Sequence, residues 1–209
     1  MQIICLGDSI TDCNHLFEDF PLGNGYVQML SEMFKKETSF NNVQIKNYGF
    51  DGFTVARVLD NIRQHRISLH RSPVVTLLIG INDIGLMMNT DRTPAQQEEM
   101  MGSFQEHYLE LLTILTKSSC SVILMEPFVF SCPAFYENWK PLLQKMSQII
   151  RTLSIQFRLP FLSLQKELDE EVRRYGYSAI TTDGVHLTRQ GQQFLADRLY
   201  SCIAEHNYV

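Results

Sequence analysis

The chain has 209 residues and a formal net charge of −5, with no block of basic residues of the kind that contacts nucleic acid. Apolar residues make up 44% of the sequence and charged residues 20%, which is typical of a globular domain that buries one core. No apolar run approaches the length that crosses a membrane. The composition therefore argues against a nucleic-acid-binding or membrane-spanning protein, and it favours a single domain over residues 1–209.

The cysteines are scattered, odd in number and without a C-x-x-C pair (Cys5, Cys13, Cys120, Cys132 and Cys202). This pattern predicts neither a disulfide framework nor a zinc site, and it favours reduced thiols in a cytoplasmic protein. The first predicted strand follows Met1 almost at once, which leaves no room for a signal peptide. A signal peptide removed before Met1 stays an alternative.

Short apolar or alternating runs predict β-strands. They cover residues 3–6, 43–48, 74–79, 121–125 and 161–164. The run at 74–79 is apolar throughout, as expected for a central parallel strand that is buried on both faces. The first run ends in Gly7-Asp8-Ser9, which predicts a tight turn with a serine at the carboxyl end of the strand.

Apolar residues at helical spacing predict helices between and after these strands. They cover residues 26–36, 55–62, 94–115, 138–157 and 189–203. The helix from 94 begins with Thr93-Pro94-Ala95-Gln96, which combines an N-cap threonine, a proline at the first position and a glutamine two residues later. Thr188 is predicted to cap the last helix. The alternation of strands and helices predicts an α/β fold whose parallel sheet is covered by helices on both faces.

Ser9 is a candidate nucleophile, because ligands of open α/β sheets bind beyond the carboxyl ends of the strands. A serine hydroxyl is a weak nucleophile until a neighbouring base accepts its proton. His186 can serve as that base. Asp183, three residues earlier in the same predicted loop, can orient the imidazole and stabilise its protonated form.

Attack on an ester also requires hydrogen-bond donors that are aimed at the developing oxyanion. The backbone N–H groups of Ser9 and Gly52 and the side-chain amide of Asn82 would converge if all three residues follow strand ends. Glycine at position 52 permits close approach of the backbone and unusual dihedral angles. Ser9, Gly52 and Asn82 are therefore the predicted oxyanion hole.

Four blocks carry this chemistry, namely residues 7–9, 47–52, 80–83 and 183–186. In this order they resemble the SGNH (GDSL-type) hydrolase superfamily, whose serine, glycine, asparagine and histidine match Ser9, Gly52, Asn82 and His186. Asp183 matches the aspartate of that family. The resemblance covers nearly the whole chain. It implies a flavodoxin-like three-layer α/β/α sandwich and hydrolysis of esters or thioesters through an acyl-enzyme, with no metal and no cofactor.

A closer resemblance links residues 6–13, 25–27, 79–83 and 125–128 to the bacterial intracellular acetylxylan-esterase branch. It implies a small-molecule ester substrate, such as an acetylated sugar or xylo-oligosaccharide, and it leaves a homo-oligomer open. Leu187 follows His186 where many relatives have proline, and Thr182 precedes Asp183 where that branch often has tryptophan. Both residues lie near the acyl site, so the acetyl specificity is less firmly predicted than ester hydrolysis.

Other hypotheses stay open at this point. Within the enzymes, a thioesterase or a lysophospholipase uses the same chemistry. A binding module could recognise an acylated sugar on the same scaffold without turnover, although the complete set of site residues argues against this. A nucleotide- or flavin-binding protein would have a similar sheet, but no phosphate-binding glycine motif follows the first strand.

Several polar residues near the blocks have structural interpretations. Asp8 is expected to bind backbone N–H groups, Asp83 to be a structural partner within its loop, and Thr11 and Thr54 to cap helices. His15 could face the substrate but has no evident aspartate partner. The remaining histidines are expected to be solvated or near the chain end (His65, His70, His107 and His206).

Two segments are ambiguous in the sequence. The aromatic stretch 128–139 could pack locally, contact another subunit or form a platform for substrate, and the first two interpretations are favoured over the third. The stretch around Met87 and Met88 is interpreted as a loop, either packed or forming a mobile wall of the site.

Overall fold

A computed structural model of the protein describes residues 1–16, 21–37, 43–69, 73–206 and 208. Within them one sheet is formed by β1 (Gln2–Gly7), β2 (Gln44–Gly49), β3 (Val74–Leu78), β4 (Ser121–Met125) and β5 (Phe161–Leu162). The strand order is β2-β1-β3-β4-β5, and every pair of neighbours is parallel. The parallel sheet is confirmed, and β1 lies between the two strands that precede the other site loops.

The register of the sheet brings the ends of three strands to one edge. Gly7 at the end of β1 pairs with Gly49 of β2 on one side and with Leu78 of β3 on the other. Ser9 lies two residues beyond this row, and Gly52 and Asn82 lie three and four residues beyond it. The three loops that carry candidate site residues therefore leave the sheet side by side.

Burial explains the apolar character of β3. All five residues of Val74–Leu78 are buried, because helices cover both faces of the sheet at its centre. β2 lies at the edge of the sheet, and only Asn47 and Gly49 of its six residues are buried. The hydrophobic pattern of each strand thus reports its position in the sheet.

The helices form layers on the two faces of the sheet. In chain order they are α1 (Ser9–Asp12), α2 (Tyr26–Lys36), α3 (Val55–Arg63), α4 (Ile81–Met88), α5 (Pro94–Lys117), α6 (Lys140–Phe157), α7 (Gln165–Tyr175), α8 (Tyr177–Ile180) and α9 (Arg189–Glu205). α2 packs against α9, whereas α5 packs against both α3 and α6. The predicted three-layer α/β/α sandwich is confirmed.

The helix caps test the local predictions. Thr93 and Gln96 form a capping box at the start of α5, and the Thr188 hydroxyl accepts a hydrogen bond from the Gly191 N–H at the start of α9, as predicted. Thr54 precedes α3, but its side chain makes no capping hydrogen bond. Thr11 lies inside α1, with its hydroxyl 3.0 Å from that of Tyr26. The prediction that Thr11 is a cap is therefore wrong.

The sequence did not predict α1, α4, α7 or α8. The stretch around Met87 and Met88 is the last turn of α4 and not a loop, and Met87 is buried in the core. α7 is mostly polar, with Leu168 as its one buried residue, so it carries little apolar periodicity.

In the described part of the chain, none of the helices is long and apolar enough to cross a membrane.

Candidate active site

Ser9 lies where the first strand ends and a short helix begins. β1 stops at Gly7, and Asp8 caps α1 by accepting a hydrogen bond from the Ile10 N–H at 3.0 Å, as expected for that aspartate. This cap holds Ser9 as the first residue of the helix. The Ser9 hydroxyl is 2.8 Å from Nε2 of His186, a residue 177 positions away in the chain.

Asp183 orients the His186 ring. Nδ1 of His186 is 2.6 Å from Oδ2 of Asp183. Because a carboxylate only accepts hydrogen bonds, Nδ1 carries the hydrogen, and the lone pair of Nε2 faces the Ser9 hydroxyl. Oδ1 of Asp183 accepts from the N–H groups of Val185 and His186 at 2.9 and 2.7 Å. The three residues therefore form one hydrogen-bonded chain.

The loop that carries Asp183 and His186 is fixed by Thr181 and Gly184. The Thr181 hydroxyl donates to the carbonyl of His186 at 2.7 Å and accepts from the Gly184 N–H at 2.9 Å. Gly184 has a φ of +96°, and a Cβ there would lie 2.5 Å from the carbonyl oxygen of Cys132 and 2.7 Å from the Tyr136 ring. Glycine is thus required both by the dihedral angle and by the close approach of the neighbouring segment.

The three candidate donors lie just beyond the carboxyl ends of the neighbouring strands β1, β2 and β3. The backbone N–H groups of Ser9 and Gly52 donate to no acceptor among residues 1–16, 21–37, 43–69, 73–206 and 208. The side-chain amide of Asn82 uses one N–H on the carbonyl of Phe53 at 2.9 Å, which leaves its second N–H available. Gly52 adopts a φ of +69°, which only glycine adopts without cost.

The segment of residues 50–54, called the Gly52 loop below, is held by side chains from two other elements. On the β1 side, Oδ2 of Asp12 accepts from the Asp51 N–H at 3.2 Å. On the β3 side, Asn82 binds the Phe53 carbonyl. Asp83 accepts from the Val55 N–H at 3.2 Å and so caps α3 in place of the Thr54 hydroxyl. Asp83 is a structural partner as expected, although its partner lies outside its own loop.

The pKa values of the Asp8 and Asp183 carboxyl groups near Ser9 are shifted in opposite directions. Burial raises the pKa of Asp8 to about 7, although the hydrogen bond from the Ile10 N–H and the proximity of His186 oppose the shift. Burial also raises the pKa of Asp183, but the hydrogen bonds from the His186 ring and from two backbone N–H groups outweigh it, and the net pKa lies below its ordinary value. Asp183 is therefore the carboxylate suited to stabilise a charged imidazole.

Asp83 should make the stability of the fold depend on pH. Burial raises its pKa from 3.8 to about 7, despite the hydrogen bond from the Val55 N–H. Between these values the folded protein keeps a proton that the unfolded chain has released, so this carboxyl lowers the free energy of unfolding as pH rises through that range. Asp83→Asn removes the titration and keeps an oxygen for Val55. We expect the Tm of the variant relative to the wild type to be higher at about pH 8 than at about pH 5, in thermal melts at both values.

Two controls accompany the thermal melts of Asp83→Asn. Asp83 lines a cavity of about 400 Å³ whose wall also carries Arg92, Glu99 and His107, so salt is held constant to keep the screening of charges equal at both pH values. Asp60→Asn on the exposed side of α3 is the matched control. An Asp83→Asn difference in Tm that does not change with pH would contradict the assignment.

The structure corrects the interpretation of His15. Its Nδ1 lies 2.7 Å from Oδ1 of Asp12, and the same oxygen accepts the His15 backbone N–H at 3.1 Å. His15 therefore has an aspartate partner, contrary to the expectation. The sequence carries a signal that was overlooked, because Asp12-Cys13-Asn14-His15 repeats the Asp-x-x-His spacing of Asp183 and His186.

The other histidines are mostly exposed. His65 and His206 are exposed and His107 is partly buried, whereas His70 lies outside the described residues. None of these described histidines is hydrogen-bonded to a carboxylate, in contrast to His15 and His186.

The aromatic stretch 128–139 divides between the core and the surface beside the catalytic candidates. Phe128, Phe130 and Trp139 are buried in the core, so packing accounts for them. The Tyr136 ring packs against Gly184, and Phe135 is 53% exposed next to it with ring centroids 4.2 Å apart. Packing, the favoured interpretation, is confirmed for the buried rings.

In residues 1–16, 21–37, 43–69, 73–206 and 208, no three His, Cys, Asp or Glu side chains are grouped closely enough to hold a metal ion.

Comparisons with known proteins agree with this geometry. The sequence model of the GDSL-like lipase/acylhydrolase family matches residues 5–194, a range that contains the Ser9, Gly52, Asn82, Asp183 and His186 positions. No curated protein sequence matches the chain significantly.

Similar solved structures cover almost the whole chain. A GDSL-like lipase from Parabacteroides merdae is 24% identical, with a TM-score of 0.84 over 97% of this chain and 95% of that one. The α/β hydrolase LAE5 from the metagenome of Lake Arreo is 19% identical, with a TM-score of 0.82 over 97% and 94%. The acetylxylan esterase Axe2 from Geobacillus stearothermophilus is 21% identical, with a TM-score of 0.78 over 96% and 92%. At these identities the likeness establishes the fold.

Proposed function

The chain belongs to the GDSL-like lipase/acylhydrolase family, and we propose that it hydrolyses carboxylic esters with Ser9 as nucleophile, His186 as base and acid, and Asp183 as the orienting group. The observation that carries this assignment is the hydrogen-bonded chain from the Ser9 hydroxyl through His186 to Asp183, with contacts of 2.8 and 2.6 Å. The separations match those required between a nucleophile, its base and the group that orients the base.

The mechanism has two halves with the same residues. Ser9 Oγ attacks the ester carbonyl carbon while His186 Nε2 accepts the hydroxyl proton, which yields a tetrahedral intermediate. The N–H groups of Ser9, Gly52 and Asn82 donate to the oxyanion. When the bond to the alcohol breaks, His186 returns the proton to the leaving oxygen, and an acyl-Ser9 remains. Water then attacks the acyl carbonyl with His186 as base, and the acid and free Ser9 are released.

We propose acetylated sugars, including xylo-oligosaccharides, as the substrate class. Support comes from the resemblance of residues 6–13, 25–27, 79–83 and 125–128 to the acetylxylan-esterase branch and from the structural likeness to Axe2. Thr182 and Leu187, which flank the Asp183–His186 pair, depart from that branch, so the acyl pocket is the part of this proposal that most needs a direct test.

The substrate experiment compares acyl chains at constant alcohol. Wild-type protein is assayed on p-nitrophenyl acetate, butyrate and octanoate and then on acetylated xylo-oligosaccharides, with Ser9→Ala as the control. Turnover restricted to the acetyl esters, and lost in the variant, is the expected result. A preference for octanoate would overturn the sugar deacetylase and favour a lipase or lysophospholipase activity. Absence of turnover together with no fluorophosphonate label on Ser9 would favour a binding module.

Asn82→Ala should lower kcat about 100- to 1,000-fold, the usual loss when one donor of an oxyanion hole is removed. The effect should fall mainly on kcat, since the oxyanion forms only in the transition state and the intermediate. Steady-state kinetics on p-nitrophenyl acetate measure it. Asn89→Ala at the exposed carboxyl end of α4 is the matched control. Unchanged kcat in Asn82→Ala would remove Asn82 from the oxyanion hole.

The remaining expectations are proposals about the whole protein. We propose that residues 1–209 form one domain, because apolar side chains from β1 to α9 belong to one continuous core. Free thiols at all five cysteines support a reducing, cytoplasmic location. A homo-oligomer would be tested by light scattering of the purified chain.

A further inference from the structure

The Asp12 carboxylate, three residues after the candidate nucleophile, is a second centre of hydrogen bonding beside the site. It is 8% exposed and accepts three N–H groups, namely His15 Nδ1 at 2.7 Å, the His15 backbone at 3.1 Å and the Asp51 backbone at 3.2 Å. A carboxyl group buried to this extent requires hydrogen-bond donors around it. The partners that stabilise Asp12 also connect α1 to the Gly52 loop.

The backbone between Asp12 and His15 is shaped to close this contact. Cys13 and Asn14 both have positive φ, at 40° and 67°. For residues other than glycine this conformation is uncommon and costs energy, so it persists where surrounding contacts require it. The two residues turn the chain sharply after α1, and the turn returns the His15 side chain to the carboxylate of the same helix.

His15 also packs on the Gly52 loop. Its ring meets Phe50 edge to face with centroids 5.5 Å apart, and Phe50 stacks on Phe53 at 4.7 Å. The His15 side chain is only 9% exposed, so this packing encloses it. His15 is therefore linked to the Gly52 loop in two ways. Its ring packs on Phe50, and its Nδ1 is hydrogen-bonded to Asp12, which also accepts the Asp51 N–H.

We propose that His15 and Asp12 form a positioning pair that fixes the Gly52 N–H of the oxyanion hole. The Gly52 loop is held at position 51 by Asp12 and at position 53 by Asn82, so Gly52 is fixed from both sides. The inference rests on the proposed function, because it requires that Gly52 donates to an oxyanion.

The pair acts through Gly52 and not on the substrate. The Ser9 hydroxyl is already hydrogen-bonded to His186, and His15 makes no hydrogen bond to it. Oxyanion donors must lie about 2.7–3.1 Å from the oxygen that becomes negatively charged, and a misplacement of about 1 Å costs about 100-fold in rate. Loosening one side of the Gly52 loop should therefore reduce kcat and leave substrate binding nearly unchanged.

The test compares two replacements of His15. His15→Ala removes the donor to Asp12, whereas the amide nitrogen of His15→Asn lies close to the position of Nδ1 and can replace it. We expect His15→Ala to lower kcat on p-nitrophenyl acetate about tenfold with KM within about twofold, and His15→Asn to restore most of kcat. Asp12→Ala should lose about 100-fold, because both connections to the loop are lost. His206→Ala, an exposed histidine on the last helix, is the matched control.

Inhibition by a boronic acid distinguishes a role in the oxyanion hole from a purely structural role of His15. A small alkylboronic acid forms a tetrahedral adduct on a catalytic serine and places an oxygen in the oxyanion hole. Its inhibition constant should rise in His15→Ala by the same factor by which kcat falls, and return in His15→Asn. Equal kcat and inhibition constants in His15→Ala and the wild type would overturn the inference while ester turnover stands. A wild-type protein without ester turnover would overturn both this inference and the proposed function.

Discussion

Replacing Ser9 by alanine is expected to reduce ester turnover about a million-fold, because the loss of a serine nucleophile removes the whole covalent route. The fold should persist. Within the described part of the chain the Ser9 hydroxyl makes one hydrogen bond, to His186, and such a bond contributes about 1 kcal/mol to the free energy of unfolding. Thermal melts and kcat on p-nitrophenyl acetate measure the two effects separately.

A matched serine and a covalent label make this result specific. Ser121→Ala removes a half-buried hydroxyl at the amino end of β4, whereas Ser9 lies beyond the carboxyl end of β1. This variant should keep full activity. A fluorophosphonate should add one adduct to the wild type and none to Ser9→Ala, as read by intact mass. Residual turnover above about a hundredth of the wild-type rate in Ser9→Ala would reject Ser9 as the nucleophile.

Asp183→Asn is the second large effect, with an expected loss of about 10,000-fold in kcat. Oδ1 of Asp183 accepts two backbone N–H groups, so the amide oxygen of asparagine should take that side, and its NH₂ group should face His186 Nδ1. Nδ1 must then accept, the ring hydrogen moves to Nε2, and Nε2 can no longer remove the Ser9 proton. The base is present but in the wrong tautomer.

Stability separates this explanation from a collapse of the loop. The amide oxygen keeps both backbone hydrogen bonds, so the Tm of Asp183→Asn should stay close to that of the wild type. Asp197→Asn on α9, whose carboxylate accepts from Gln193, is the control and should remain active. A loss below about tenfold in Asp183→Asn would indicate that another group orients His186.

The periodicity of the chain was sufficient for much of the fold. The five strands and the helices with strong apolar stripes were predicted to within a few residues, and the capping box of Thr93 and Gln96 was predicted in detail. α4 and α7 were missed for different reasons. α4 is only eight residues long and has no polar residue from Ile84 to Met88, and α7 buries a single residue, so neither shows the spacing of an amphipathic helix.

The site residues were predicted from motifs and order, and the arrangement around them was not. The Asp183–His186 contact is local, and its spacing of three residues is visible in the sequence. The equal spacing of Asp12 and His15 was overlooked, because nothing in the sequence indicates that Cys13 and Asn14 adopt left-handed conformations. The partner of Asp83 was placed in the wrong element, since Val55 lies 28 residues away.

Most of the element types, the identity of the candidate triad and its order along the chain could be predicted from the sequence alone, because hydrophobic period, capping residues and short motifs act over neighbouring residues. Two further features became visible only in the folded structure. Ser9 is hydrogen-bonded to His186 across 177 positions, and Asp12 and Asn82 hold the Gly52 loop from opposite sides. These contacts depend on the register of β1 between β2 and β3. Register is set by packing of the whole core, to which every strand and helix contributes, and no short stretch of sequence contains that information.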